Sequence, residues 1–321
     1  MCLTDSSITP TQARIPDIIE QLSKKIVGQR ATLELVTAAC LAGGHVLLQD
    51  VPGTGKTRLA ASLAKVFGLA FCRVQGTPDL LPADVVGATV FNPGDNRFMF
   101  HRGPIFTNVL LMDEINRATP RTQSALLEAM AERQVSADGT TYSLPKPFFV
   151  IATANPIESQ GVFPLPEAQL DRFLVQLNLG YIEAEEEVEM VRRVVFTEDE
   201  ELSPVLAEQD VVKAQKEVRQ IIVSDDVLRY IVQLGRATRT HDQVQLGASP
   251  RAIVALTQYA QALAYLAQRK FVTPDDVKRA FYPAMAHRLH LNIDWMGEDG
   301  AKRVIEDVLQ GVPVPNERAE V

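Results

Sequence analysis

Lys56 and Thr57 close the stretch "DVPGTGKT" (50–57), a setting that suits the holding of a phosphate chain. Gly53 and Gly55 let the backbone curl close to an anion, and the N–H groups of the loop and of a following helix supply partial positive charge. Lys56 adds a full charge toward β- and γ-phosphates, and the Thr57 hydroxyl can bind Mg²⁺. Pro52, Thr54 and Arg58 fill the rest of that loop. The general pattern G-x-x-x-x-G-K-[ST] has glycine where this chain has Asp50. That position ends a strand and starts a turn, so a carboxylate there can point away from the phosphates and cap local N–H groups. Farther along, Asp113 and Glu114 stand together at the end of an apolar run. Unpaired buried charge is costly, so packing gives no reason for two adjacent acids there. A metal beside a phosphate loop does: Asp113 would hold Mg²⁺ through water, and Glu114 would polarise an attacking water as general base. Asn155 ends another apolar run, where its amide can bond both a γ-phosphate and that water.

These residues need strands and helices to bring them together. "HVLLQD" (45–50) reads as a buried parallel strand. "TRLAASLAKVFG" puts Leu59, Ala60, Leu63, Ala64 and Phe67 on one helical face and stops at Gly68. Val109–Met112 and Phe148–Ile151 make two more buried strands, so Asp113, Glu114 and Asn155 fall at strand carboxyl ends, where open α/β sheets collect ligands. "RIPDIIEQLSKKI" is an amphipathic entry helix. "TVFNPGDNRFMF" alternates about a turn, and "QVSADGTTYSLPKP" carries Asp138-Gly139, a two-residue hairpin turn. After residue 181 only helical patterns remain (182–196, 207–221, 225–238, 249–269, 274–287 and 298–310). Ser249-Pro250 and Thr273-Pro274 are strong helix starts. The expected division is a tail at 1–14, an α/β domain at 15–181, an all-helical lid at 182–310 and a tail at 311–321.

The chain has 321 residues, 46% hydrophobic and 22% charged, enough for two domains with a sizeable core. Its net charge of −8 argues against a surface made for nucleic acid, though not against a local basic channel. No apolar run is long enough to span a bilayer, and no secretory pattern opens the chain. Cys2, Cys40 and Cys72 show no metal spacing and read as reduced thiols, so a cytoplasmic location is expected. The five histidines show no zinc spacing either.

The segments "DVPGTGKT", "LLMDEINRATPRTQSALLEAMAERQV", "FFVIATANPIESQGVFPLPEAQLDRF" and "GASPRA", in this order, resemble the MoxR family of AAA+ ATPases. The resemblance runs from about residue 15 to 290 and is most specific between Asp113 and Phe173. It implies a P-loop α/β domain with a five-stranded parallel sheet, an insert in helix 2, a hairpin before sensor 1, and a smaller helical lid. Lys56 and Thr57 then match Walker A, Asp113 and Glu114 match Walker B, and Asn155 matches sensor 1. Val27 and Gly28, in "KIVGQ", would lie near the adenine. Arg172, on its own indistinguishable from a surface arginine, matches the arginine finger that reaches a neighbouring subunit's ATP. Arg251 matches sensor 2, acting in cis or in trans. The family implies ATP and Mg²⁺, a hexameric ring, and chaperone-like work on a protein client, with von Willebrand factor A domain proteins as frequent partners. The hairpins at 87–106 and 134–147 would face the pore or the client. Two rival classes are a nucleic-acid-dependent motor and a P-loop small-molecule kinase. The acidic balance disfavours the first, and a lid with a trans arginine is superfluous in the second.

Overall fold

The apolar runs that lead into the polar residues become the middle of a parallel sheet. The structure is a computed structural model that describes residues 8–51, 53–94, 96–155, 161–196, 200–292 and 299–315. It opens with α1 (Pro10–Ala13), α2 (Ile15–Lys25) and α3 (Arg30–Ala42), then β1 (Val46–Gln49), α4 (Lys56–Val66) and β2 (Phe71–Gln75). A short α5 (Pro82–Val86) leads into the hairpin β3 (Gly87–Asn92) and β4 (Arg97–Arg102). Next come β5 (Val109–Asp113), α6 (Pro120–Glu132), the hairpin β6 (Gln134–Ala137) and β7 (Thr140–Ser143), β8 (Phe149–Ala154), α7 (Glu167–Leu170) and β9 (Val175–Leu177). The remainder is α8 (Ala184–Phe196), α9 (Glu208–Val218), α10 (Asp225–Thr240), β10 (Val244–Leu246), α11 (Pro250–Leu266), α12 (Pro274–Met285), β11 (His290–Leu291) and α13 (Gly300–Gly311).

Five strands form one parallel sheet in the order β2-β5-β8-β1-β9. The three central strands are apolar at nearly every position because both faces are covered. Val46, Leu48, Val109, Leu111, Phe149 and Ile151 join one apolar cluster. Their neighbours Leu47, Leu110, Met112, Val150 and Ala152 join another on the opposite face. Asp138 and Gly139 both adopt positive φ, as a tight two-residue hairpin turn demands. Ser249 and Thr273 cap α11 and α12, each accepting a hydrogen bond from a backbone N–H three residues on.

The lid is helical, with one addition: β10 and β11 pair as a short antiparallel ribbon. Strands this short carry no alternating pattern, so the all-helical expectation passed over them. The lid also packs tightly on the base. The first cluster is continuous from Ile15 through the α11 core to Val312. Tyr259 of α11 donates to the Leu35 carbonyl (3.0 Å), and Gln12 donates to that of Tyr265 (3.0 Å). Thr9 caps α1 and bonds Glu217 (2.7 Å), so residues 8–14, expected as part of a tail, are docked against the lid. Docking follows from Thr9 finding a half-buried partner and Gln12 a buried one there.

Candidate nucleotide site

β1 ends at Gln49, and the chain turns through Gly53 and Gly55 into α4. Both glycines lie at positive φ (+86° and +87°), a conformation that suits glycine. A Cβ at either would meet nothing within 4 Å, so the loop borders open space large enough for a phosphate. α4 begins at Lys56 with Gly55 as its N-cap and no side chain capping it, which leaves its first N–H groups to an anion. The Lys56 ammonium donates to the carbonyls of Asp50 (2.8 Å) and Val51 (3.0 Å), so it is folded over its own loop.

Asp50 is buried and turned away from this space. One carboxylate oxygen accepts from Val51 N (2.8 Å); the other accepts from Leu179 N (3.0 Å) and Gly180 N (2.9 Å). It therefore ties the start of the loop to the turn that leaves β9 for the lid. Gln29 holds the same turn from another side, donating to the Leu179 carbonyl (2.7 Å). Val27 and Gly28 precede it. At Gly28 a Cβ would collide with Glu186 of α8 at 2.5 Å, so this segment abuts the first turn of the lid.

The acids stand at the end of β5 and just beyond it. Asp113 accepts from the Thr153 hydroxyl (2.6 Å) and from Arg73 (2.7 Å), and Glu114 accepts from Gln75 (2.9 Å) and Arg117 (3.1 Å). Glu114 sits at φ +54° and Asp113 closes the strand, so the two side chains leave the backbone in different directions. Thr153 also accepts from Glu114 N (2.7 Å), which fixes both acids to β8. One cleft of about 430 Å³ is lined by Gly53, Gly55, Lys56, Thr57, Arg58, Asp113, Glu114 and Asn155, together with Arg73 and Thr153. The Thr57 hydroxyl and Asp113 carboxylate, both on the lining of this cleft, are hard oxygen donors, a set that suits Mg²⁺ bound through few protein ligands and several waters.

Not every expected residue lines this cleft. Thr54 bonds the Val51 carbonyl (3.3 Å) inside the loop, and Pro52 lies outside the described residues. Arg172 follows α7 and Arg251 opens α11; neither borders the cleft. They lie near each other instead, because Arg251 pairs with Asp171 at 3.7 Å. Among the described residues the Arg172 side chain has no hydrogen-bond or ion-pair partner. Sequence reading missed Arg73, Gln75, Arg117 and Thr153. Arg73 and Gln75 belong to β2, an edge strand of largely exposed residues without an apolar signature. Thr153, inside the motif "IATAN", was readable as a polar residue in an otherwise apolar run.

Known proteins are similar to this chain over most of its length. The profile of a family described as ATPase family associated with various cellular activities (AAA) matches residues 45–175, and that of an AAA lid domain matches 236–308. The chain is 45% identical over 305 residues to the uncharacterized protein YeaC of Bacillus subtilis, covering 94% of this chain and 95% of that protein. Chaperone MoxR1 of Mycobacterium tuberculosis is 40% identical over 311 residues, with 94% and 82% covered. Protein MoxR of Paracoccus denitrificans is 32% identical over 338 residues, with 97% and 99% covered. The crystal structure of a candidate ATPase from Cytophaga hutchinsonii has a TM-score of 0.88 and 36% identity, covering 95% of this chain and 96% of that one.

Proposed function

This chain belongs to the MoxR family of AAA+ ATPases, and on that premise we propose that it hydrolyses ATP in a ring of identical subunits and uses the cycle to remodel a protein client. The observation that carries the catalytic half is the single cleft into which three separate segments deliver Lys56, Thr57, Asp113, Glu114 and Asn155. Lys56 exchanges its two loop carbonyls for phosphate oxygens, and the loop and α4 amides hold the β-phosphate. Thr57 and Asp113 would hold Mg²⁺, which would supply positive charge against that of the phosphate oxygens. Glu114 takes the proton from the attacking water, and Asn155 orients that water against the γ-phosphate. Gln75 and Arg117, both bonded to Glu114, keep its carboxylate aimed until water replaces one of them.

Arg172 completes the reading. It lies outside its own cleft and lacks a partner side chain among the described residues, so we assign it, with Arg251 beside Asp171, to the site of an adjoining subunit. There a guanidinium offsets charge that spreads over the γ-phosphoryl oxygens. Val27 and Gly28, between loop and lid, form one wall for the adenine. The client is a protein, in keeping with the relative named a chaperone, reached in company with a von Willebrand factor A domain partner. The work is cytoplasmic, where ATP is supplied. Glu114→Gln tests the core of this proposal. It should bind ATP as the parent does and hydrolyse it ~10²–10⁴-fold more slowly, the usual loss for a positioned base. Lys56→Ala should weaken binding itself. Undiminished turnover in Glu114→Gln would remove Glu114 from the mechanism. Measuring turnover with and without DNA separates a nucleic-acid motor from a protein remodeller.

A further inference from the structure

Arg288 lies just beyond α12, and its side chain is only 4% exposed. A buried guanidinium must have its donors satisfied, since an unpaired one is costly. The partners it has are unusual in their grouping. Nε donates to the Asp171 carboxylate (2.6 Å). One terminal nitrogen donates to the carbonyls of Phe173 (2.6 Å) and Asp171 (3.3 Å), and the other to that of Leu174 (3.0 Å) and to that of Ala284 in α12. All partners but Ala284 lie in residues 171–174, on both sides of Arg172. His287, next to Arg288, adds a contact from Nε2 to the Phe173 carbonyl (3.2 Å). His290 pairs with Glu167 of α7 at 2.5 Å, and Arg251 reaches the second Asp171 oxygen. The lid thus grips the backbone that carries Arg172 and leaves the Arg172 side chain ungripped.

We propose that Arg288 is a positioning residue for Arg172: its planar fork fixes residues 171–174 to the lid, so that lid movement carries the Arg172 guanidinium into or out of the adjoining subunit's site. Only arginine can do this, because its five N–H groups lie in one plane and can reach several acceptors at once, whereas a lysine ammonium has three donors on one atom. The inference rests on the reading of Arg172 as a residue acting in trans. It adds a route by which the nucleotide bound to one subunit reaches its neighbour: Asp50 ties the loop to the turn after β9, and Arg288 ties the lid to the backbone that carries Arg172.

The test uses the full chain carrying Arg288→Lys, which keeps a buried cation and loses the fork. ATP binding should stay within about twofold of the parent, and kcat should fall ~10²-fold, the scale expected for a group misplaced by about 1 Å. Mixed with Glu114→Gln, which carries an intact Arg172 and Arg288, it should regain turnover that neither variant shows alone, because some interfaces then pair a sound cleft with a sound finger. Mixed with Arg172→Ala it should stay slow. Parental kcat in Arg288→Lys overturns the proposal, and so does a slow variant that Glu114→Gln fails to rescue while it rescues Arg172→Ala. If Glu114→Gln does not rescue Arg172→Ala either, the trans reading of Arg172 is what fails. Should Arg288→Lys not fold, Asp171→Asn, which weakens the same grip from the α7 side, is put through the same mixtures with the same expected and overturning results.

Discussion

Asp50 occupies the place where the phosphate-loop pattern has glycine, and its three backbone hydrogen bonds make it something other than a tolerated exception. Charge-assisted bonds to buried N–H groups are strong, and removing the acceptor leaves the donors unpaired. Restoring the pattern with Asp50→Gly should therefore destabilise the protein, by about 2–4 kcal/mol, seen as a lower denaturant midpoint at unchanged m-value. Equal stability of Asp50→Gly and the parent would mean that those N–H groups find water instead. Gln75 and Arg73 make the complementary point. They hold Glu114 and Asp113, yet neither is prominent in the sequence, because their importance lies in partners about 40 positions away along the chain.

Elements meet through His45, which joins the entrance of β1 to α6 and β8. Its Nε2 faces the Met130 carbonyl (3.2 Å), and Nδ1 accepts from Val150 N (3.0 Å), so it is held as the neutral ring. Burial, with the nearby Arg133 adding to it, pushes its pKa down to about 3, and burial holds His287 well below the usual histidine range too. Below the ordinary value of about 6.5 the unfolded chain takes up protons that the folded one refuses. Stability is thus complete above that pH and declines as pH falls toward 3, by up to about 1.4 kcal/mol per pH unit for each such histidine. Denaturant midpoints measured from pH 7.5 to 5 should fall accordingly, and His45→Gln should flatten the slope while lowering the midpoint at pH 7.5. A pH-independent midpoint over that range would contradict both buried rings. How much could be read beforehand differs by element. β1, β5, β8 and the two hairpins were legible because apolar runs and turn residues are local signals. β2 and the β10–β11 ribbon were not, since an exposed edge strand and strands of two or three residues carry no periodicity. A lysine at the start of α4, and acids and asparagine at strand ends, announced the cleft. The grip of Arg288 on residues 171–174 exists only once the lid is folded against the base.

At the scale of the molecule, the chain has a cleft lined by Lys56, Asp113, Glu114 and Asn155 and an Arg172 that does not border it, as the proposed shared site requires. Hydrolysis per chain should then rise with protein concentration and level off once assembly is complete, and ATP should raise the mass seen in solution because a ligand shared across an interface stabilises the assembled state. Specific activity that stays constant down to a demonstrated monomer would refute the shared site. The sheet order carries a different consequence, for the way the protein is born. β1 sits between β8 and β9, with Val46 beside Ile151 on one side and Val175 on the other. Both partners are made roughly a hundred residues later, or about 5–20 s at the usual pace of translation. During that interval β1 has both edges unpaired and its apolar side chains uncovered, while the loop proposed to hold ATP has no wall to face. The strand that begins the nucleotide site is therefore among the first made and the last enclosed, and the nascent chain is most exposed to mispairing until β9 leaves the ribosome.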